Sequence, residues 1–279
     1  MSSTFTHNFG DHTYEFQTGT LAQQANGSVL VNYGDCSLLI TATMSDPREG
    51  IDFFPLTVDF SERLYARGKI PGGFFRREGM PGSDSILICR LIDRPIRPIF
   101  PKGFKNEVQI IITPLSVDLE NPVDILSLVG TSFALSISDI PFSEPISACR
   151  VGYVDGEYII NPSYSQIESS ELDIVVAGSK SGITMLEAGA TEVSEQVVLE
   201  AIKQGQLENE KLIKFQYDIM DSIGKTKMPF ESTSSDSTVI SQLENLASTK
   251  IKDIFMSVTG KLEQANAINE LKSELTEQF

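Results

Sequence analysis

The 279-residue sequence contains no tryptophan, only two histidines and only three cysteines. Cys36, Cys89 and Cys149 are scattered and odd in number, which argues against a disulfide framework or a zinc site and indicates reduced thiols. No apolar run approaches the roughly 18 to 20 residues that cross a bilayer. The N-terminus lacks a basic segment followed by an apolar block, so we expect no signal peptide. These absences favour a cytoplasmic protein with no membrane partner.

Positive charge is also scarce. Lys and Arg number 22 against 38 Asp and Glu, which gives a formal net charge of -16. This excess of acid argues against affinity for nucleic acid over the whole surface, and no DNA partner is expected. Residues 60–105 are the exception, with ten Lys or Arg and four Asp or Glu. One basic island in an acidic protein is typical of a localised anion-binding site, and a solvated charged surface is the simpler alternative.

The distribution of apolar residues predicts an α+β protein with a helical C-terminal part. We expect strands over 36–44, 53–58, 108–113 and 172–177 and from Ile183, with a hairpin over 150–160 that turns at Asp155-Gly156. We expect helices over 124–138, from Thr191 onwards, over 239–258 and over 260–279, with a polar linker over 225–238. A further helix is expected from Ser83 or Asp84, either of which can cap it, to Asp93 before Arg94-Pro95. The predicted domains are 1–206 and 207–279.

Two long motifs resemble a known family. They are F-F-P-L-T-V-D-F-S-E-R-L-Y-A-R-G-K-I-P-G-G-F-F-R-R-E-G (53–79) and R-L-I-D-R-P-I-R-P-I-F-P-K-G-F (90–104). Both are similar to the N-terminal half of the bacterial polynucleotide phosphorylases, and the resemblance extends from about Phe9 to Gly205. It implies an RNase PH-type core over 1–206, with mixed β-sheets and helices in a ribosomal-protein-type βαβ arrangement, and an all-α linker domain over 207–279. The family's second core and its KH and OB-fold domains are missing from the sequence, which stops within a helical pattern, so we expect a truncated chain.

The resemblance also implies a function. In that family three subunits form a ring around a channel, and single-stranded RNA enters it 3′ end first. Inorganic phosphate cleaves the RNA and releases nucleoside diphosphates, in a reaction that needs Mg²⁺ or Mn²⁺. The implied partners are single-stranded RNA, further copies of the chain in a homotrimer, and components of an RNA degradosome. No cofactor is expected within this fragment itself.

The F-F-R-R segment is the family's loop at the narrow mouth of the channel. By this resemblance Phe74 and Phe75 offer faces on which bases stack without sequence preference, and Arg76 and Arg77 grip phosphates. Ordinary packing or a subunit contact is the alternative role of the two phenylalanines. The sequence departs from the family at Met80, where an arginine is usual, so we expect a weaker hold on phosphate.

Three further arginines match basic residues that guide RNA onward in the family. Arg90 and Arg94 are four residues apart and therefore share one helix face, and Arg97 follows them. Arg94 could instead form a structural ion pair with Asp93 or Glu62. The prolines of R-P-I-R-P could also make Arg97 part of a stiff loop.

The family's catalytic pattern is degenerate in this chain. In the second core of the family, two carboxylates and a lysine precede a V-A-G triplet as D-x5-D-x-K and hold the metal. The V-A-G of this chain is 176–178, and the matching positions are Ile167, Asp173 and Val175. One carboxylate is poor ligation for a hard divalent cation. We therefore expect no catalytic or metal-binding residues here, and Asp173 is interpreted as a structural acid.

The family's phosphate pocket is also altered. It is a serine cluster at the start of the buried helix, and by register from the shared segment 130–135 it becomes Pro122, Val123 and Asp124. Asp124 would repel phosphate where hydroxyl donors are needed. We therefore expect this half of the enzyme to be catalytically silent.

Three functions are open on the sequence alone. The favoured one is the RNA-binding, trimer-forming half of an enzyme of the polynucleotide phosphorylase family. The second is a free-standing, non-catalytic partner subunit of an exosome-like ring. The third is an autonomous nuclease with an unusual site, against which Ile167, Val175 and Asp124 argue.

Overall fold

The computed structural model describes residues 2–9, 12–74, 78–230 and 237–278. These residues form ten β-strands and six α-helices, which confirms the predicted α+β class. They divide into two compact units, with the division after Phe230.

The first sheet has six strands in the order β1-β2-β3-β4-β6-β5. In chain order they are β1 (Ser3–Phe9), β2 (His12–Thr18), β3 (Gly27–Tyr33), β4 (Cys36–Ser45), β5 (Leu56–Phe60) and β6 (Glu107–Ser116). Neighbours pair antiparallel, except that β5 runs parallel to β6 at the edge. The strand expected over 53–58 begins later than predicted, because Phe53 is exposed and Pro55 has no N–H to pair.

The second sheet has four strands in the order β10-β9-β7-β8. They are β7 (Ile146–Val154), β8 (Glu157–Ile160), β9 (Leu172–Ser179) and β10 (Gly182–Ala190), and all pairs are antiparallel. The predicted hairpin is confirmed, since Asp155 and Gly156 both have positive φ, 50° and 85°, as a tight hairpin turn requires. Strand β10 forms one edge of this sheet.

Helix α2 (Val123–Ile137) lies at the centre of the first unit and packs against both sheets. Every residue of α2 except Asp124 is buried, as its almost wholly apolar sequence predicts. A Cβ atom at Gly130 would lie 2.4 Å from Ile40 Cδ1 and 2.8 Å from Val31 Cγ2. Glycine at this position therefore allows the helix to approach the first sheet closely.

Helix α1 (Ser83–Ile96) differs at both ends from the prediction. Its N-cap is Gly82, which makes no side-chain cap, so the proposed capping by Ser83 or Asp84 is wrong. The predicted end at Asp93 is also wrong, because the helix continues through Pro95. Proline in the last turn removes one backbone hydrogen bond, and the burial of Leu91, Ile92 and Ile96 favours the extra turn.

The first unit extends beyond the predicted boundary at 206/207. Helix α4 (Glu195–Ile223) continues unbroken through that boundary and buries Leu212, Ile213 and Ile219 beyond it. The element between β8 and β9 is the short helix α3 (Tyr164–Glu168). The segment after α4 is also attached, because the Lys227 ammonium donates to the backbone oxygens of Leu135, Ser136 and Ser138 at 2.7, 3.0 and 2.8 Å. It thus caps the end of α2.

The second unit consists of α5 (Ser237–Ser257) and α6 (Lys261–Gln278), close to the predicted helices. Lys250 Nζ of α5 lies 2.7 Å from Glu274 Oε1 of α6, and apolar residues of both helices meet beside this ion pair. In the part of the chain that the structure describes, none of the helices has the length and apolar character that crossing a membrane requires.

Candidate nucleic-acid interface

The loop that contains the F-F-R-R motif has a fixed base. Arg63 Nη1 lies 2.6 Å from Glu78 Oε2, and the Leu64 N–H donates to the other oxygen of Glu78 at 3.0 Å. This guanidinium and backbone donor lower the pKa of the Glu78 carboxyl. Between these anchored ends Phe74 is 95% exposed, and Met80, two residues beyond Glu78, is 93% exposed. The loop therefore presents apolar side chains to solvent from a hydrogen-bonded base.

The other predicted residues of this loop, Phe75, Arg76 and Arg77, lie outside the described residues. Their roles stay predictions from the resemblance.

The three predicted RNA-binding arginines differ in how firmly other groups hold them. Arg97 is held most firmly, with bonds of 3.0 and 2.6 Å to the Asp93 carboxylate and of 3.0 and 3.2 Å to the backbone oxygens of Phe54 and Leu56. Its guanidinium carbon also lies 5.6 Å from the centre of the Phe54 ring. These contacts tie the end of α1 to the start of β5, so Arg97 has a structural role.

Arg94 has an ionic partner that the sequence does not indicate. Its Nη1 lies 2.6 Å from Glu187 Oε2 on β10. The alternatives expected from the sequence are both wrong, because Asp93 binds Arg97 and Glu62 accepts from the Gly82 N–H at 3.4 Å.

Of the three arginines, Arg90 is the most available to bind an anionic ligand. Within the described ranges its exposed side chain makes no ion pair or hydrogen bond. It lines a groove of about 590 Å³ between α1 and β5, beside Asp59 and Ser85. The Ser85 hydroxyl is buried and has no hydrogen-bond partner among the described residues. A cation beside this open groove can meet an anionic ligand without first breaking another contact.

The positions that match the family's catalytic and phosphate sites are joined by an arginine. Arg150 of β7 places Nη1 at 2.6 Å from both oxygens of Asp173, and its Nη2 donates to the Asp124 carboxylate. Only 13% of its side chain is exposed. Burial opposes the charge of Arg150, but Asp124 and Asp173 outweigh it and raise the pKa of the guanidinium. Asp173 therefore acts here as a structural acid.

These residues do not fit a divalent metal. Asp173 and Asp124 are both engaged by Arg150, Val175 is 2% exposed, and Ile167 lies on α3 with no oxygen to offer. Among the described residues no cluster of three or more His, Cys, Asp or Glu side chains could hold a metal ion. A cation would have to displace a guanidinium that already binds both carboxylates.

Sequence reasoning missed Arg150 and Glu187. Arg150 leaves a trace in the sequence, since it is the one charge in the otherwise apolar strand I-S-A-C-R-V-G-Y-V. Glu187 leaves none, because it is separated from Arg94 by 93 positions.

Comparison with known proteins assigns the family. Residues 11–141 match domain 1 of the 3′ exoribonuclease family, RNase PH, and residues 144–207 match domain 2 of the same family. The chain belongs to the 3′ exoribonuclease family. The predicted RNase PH-like fold and the family resemblance are both confirmed.

Curated relatives carry the name polyribonucleotide nucleotidyltransferase. That of Caldicellulosiruptor saccharolyticus is 48% identical over 95% of this chain and 38% of its own length. That of Geobacillus kaustophilus is 50% identical over 92% of this chain and 35% of its own length. The chain therefore spans less than two fifths of the length of these relatives.

The fold is also similar to a solved structure. Rrp46 from rice (Oryza sativa) superposes with a TM-score of 0.58 over 79% of this chain and 94% of its own, at 14% identity. At that identity the likeness concerns the fold alone.

Proposed function

We propose that this chain is the N-terminal, RNA-binding and trimer-forming half of a polynucleotide phosphorylase. The whole enzyme would be a phosphate-dependent 3′→5′ exoribonuclease of mRNA degradation that releases nucleoside diphosphates. Two relatives named polyribonucleotide nucleotidyltransferase, at 48% and 50% identity, support this assignment. The proposed location is the cytoplasm, and components of an RNA degradosome are further proposed partners.

This half would bind RNA without cleaving it. Arg150 carries this part of the proposal, since it occupies both carboxylates at the positions of the family's metal and phosphate sites. Mg²⁺ or Mn²⁺ and inorganic phosphate would then act only in the second core of the whole enzyme. In this half Phe74 and Phe75 would stack on bases, while Arg76 and Arg77 would bind phosphates.

The α1 surface would continue the RNA path. Arg90 and Arg94 face the same side of the helix, so successive phosphates of one strand can meet them in turn. Arg97 would support this surface indirectly by fixing α1 to β5 through its bonds to Phe54 and Leu56. Unlike the first two, it would make no direct RNA contact.

A binding assay and a phosphorolysis assay on the same preparation test the proposal. We expect the chain to bind a labelled oligoadenylate and to release no ADP from poly(A) in the presence of phosphate and Mg²⁺. Phosphate-dependent release of ADP would overturn the proposal that this half of the enzyme is catalytically silent. Absence of oligoadenylate binding at low salt would overturn the RNA-binding assignment.

A further inference from the structure

The ion pair between Arg94 and Glu187 lies on the surface that would bind RNA. Arg94 and Glu187 keep 48% and 54% of their side chains exposed, and their ion pair joins one guanidinium nitrogen to one carboxylate oxygen. Exposed ion pairs of this kind add little to the stability of a fold. Among the described residues Glu187 makes no other side-chain hydrogen bond or ion pair. The acid is therefore poorly explained as a structural support.

The two neighbouring arginines, Arg97 directly after α1 and Arg90 within it, differ widely in how firmly they are held. Arg97 makes four hydrogen bonds and lies against the Phe54 ring, so its place is fixed by several independent contacts. Arg90 has no partner in the described parts of the chain. Arg94 lies between these two extremes, because among the described residues one carboxylate pairs with it, and that ion pair must break to release it.

We propose that Glu187 competes with RNA phosphate for Arg94 and thereby sets how tightly the α1 surface holds the RNA backbone. This inference rests on the proposed RNA-binding function. A phosphate that reaches Arg94 must displace the carboxylate, and it is then repelled by the acid that remains nearby. Glu187 thus lowers the affinity for RNA at one point of the path.

A weaker hold suits the proposed reaction. An enzyme that removes nucleotides one at a time from a 3′ end must move the strand along by one nucleotide after each cleavage. Every phosphate contact along the path then has to break and form again. When a phosphate leaves Arg94, Glu187 can pair with the arginine again, so that the phosphate is recaptured less readily and the strand can move on.

The test substitutes Glu187→Gln, which keeps the size of the side chain and removes its charge. Binding of a fluorescent oligoadenylate is measured over a series of salt concentrations. We expect affinity at low salt to rise about threefold to tenfold, and the salt dependence to steepen by about 0.7 in log K against log salt, the value for one additional phosphate contact on a single strand.

Two further variants distinguish competition from a general change of charge. Glu107→Gln is the matched control, because it removes the same charge from another ion pair with a 2.6 Å contact, that with Arg48. It should leave the salt slope unchanged. In an Arg94→Gln background, Glu187→Gln should no longer raise the affinity.

The outcomes separate this inference from the function on which it rests. If the unsubstituted chain fails to bind the oligoadenylate, the proposed function and this inference both fail. If it binds and Glu187→Gln behaves like Glu107→Gln, only the inference fails. Weaker binding by Glu187→Gln would also overturn competition, since it would show that Glu187 holds Arg94 in its binding position.

Discussion

At the scale of single residues, Arg150 explains how the fold is kept where the catalytic pattern is lost. A carboxylate at Asp173 and another at Asp124 face the same partly buried space. Two acids placed together out of water repel each other unless a cation lies between them. The guanidinium of Arg150 supplies that positive charge and donates to both carboxylate oxygens of Asp173. Asp173, which is retained from the family's pattern, and Asp124, which stands at its phosphate pocket, therefore form an internal ionic network with Arg150.

Arg150→Met should therefore destabilise the first unit strongly. We expect a loss of about 3 kcal/mol in the free energy of unfolding, the lower end for breaking a buried ion pair, because 32% of the Asp173 side chain stays exposed. Urea denaturation measures this loss. The matched control Arg48→Met breaks the exposed pair with Glu107 and should cost less than about 1 kcal/mol.

Adding Asp124→Asn and Asp173→Asn to Arg150→Met should recover most of the lost stability, because no unpaired charge then remains. If Arg150→Met costs no more than Arg48→Met, the ionic network is not what holds these elements together.

At the scale of elements, local sequence patterns predicted most of the fold and little of the pairing of charges. Helix α2 and the hairpin at Asp155-Gly156 follow from an apolar run and from turn residues, which are local properties. The continuation of α1 through Pro95 cannot be predicted from local properties, because it depends on the burial of Ile96 by distant residues. The contact between Arg94 and Glu187 likewise arises only when α1 and β10 meet in the folded chain.

We expect the packing of β1 on α4 to depend on pH through His7. The His7 ring lies 4.8 Å from the Phe215 ring of α4, and its Nε2 is buried without a hydrogen-bond partner in the described part of the chain. Burial lowers the pKa of His7 below its ordinary 6.5; nearby Glu208 opposes this effect and Lys211 adds to it. Between the two pKa values the unfolded chain binds more protons than the folded one, so stability falls as the pH drops through about 6.5.

His7→Phe should remove this pH dependence while keeping an aromatic ring against Phe215. We expect the original chain to lose more of its free energy of unfolding than His7→Phe between about pH 7 and about pH 5, where an ordinary histidine takes up its proton. Thermal unfolding at several pH values measures the difference, since carboxylates elsewhere contribute equally to both proteins. Identical pH dependence in the two would show that folding does not lower the pKa of His7.

At the scale of the whole molecule, the charge is unevenly distributed along the chain. The net charge is -16, yet residues 60–105 carry ten bases and four acids. Three of those bases already have an acidic partner, because Arg63, Arg94 and Arg97 form ion pairs. The surplus available to an anionic ligand is therefore smaller than the sequence count indicates, and Arg76, Arg77 and Arg90 become the central residues of the proposed RNA path.

The double substitution Arg76→Ala with Arg77→Ala tests whether RNA binding is confined to this island. We expect the salt slope of oligoadenylate binding to flatten by about 1.4, because two phosphate contacts on a single strand are lost at about 0.7 each. Lys250→Ala with Lys252→Ala is the matched control, since it removes the same charge from helix α5, outside residues 60–105. If RNA followed only the overall charge of the protein, both pairs of substitutions would weaken binding equally. A slope that changes only in the arginine variant would instead place the phosphate contacts at the F-F-R-R loop.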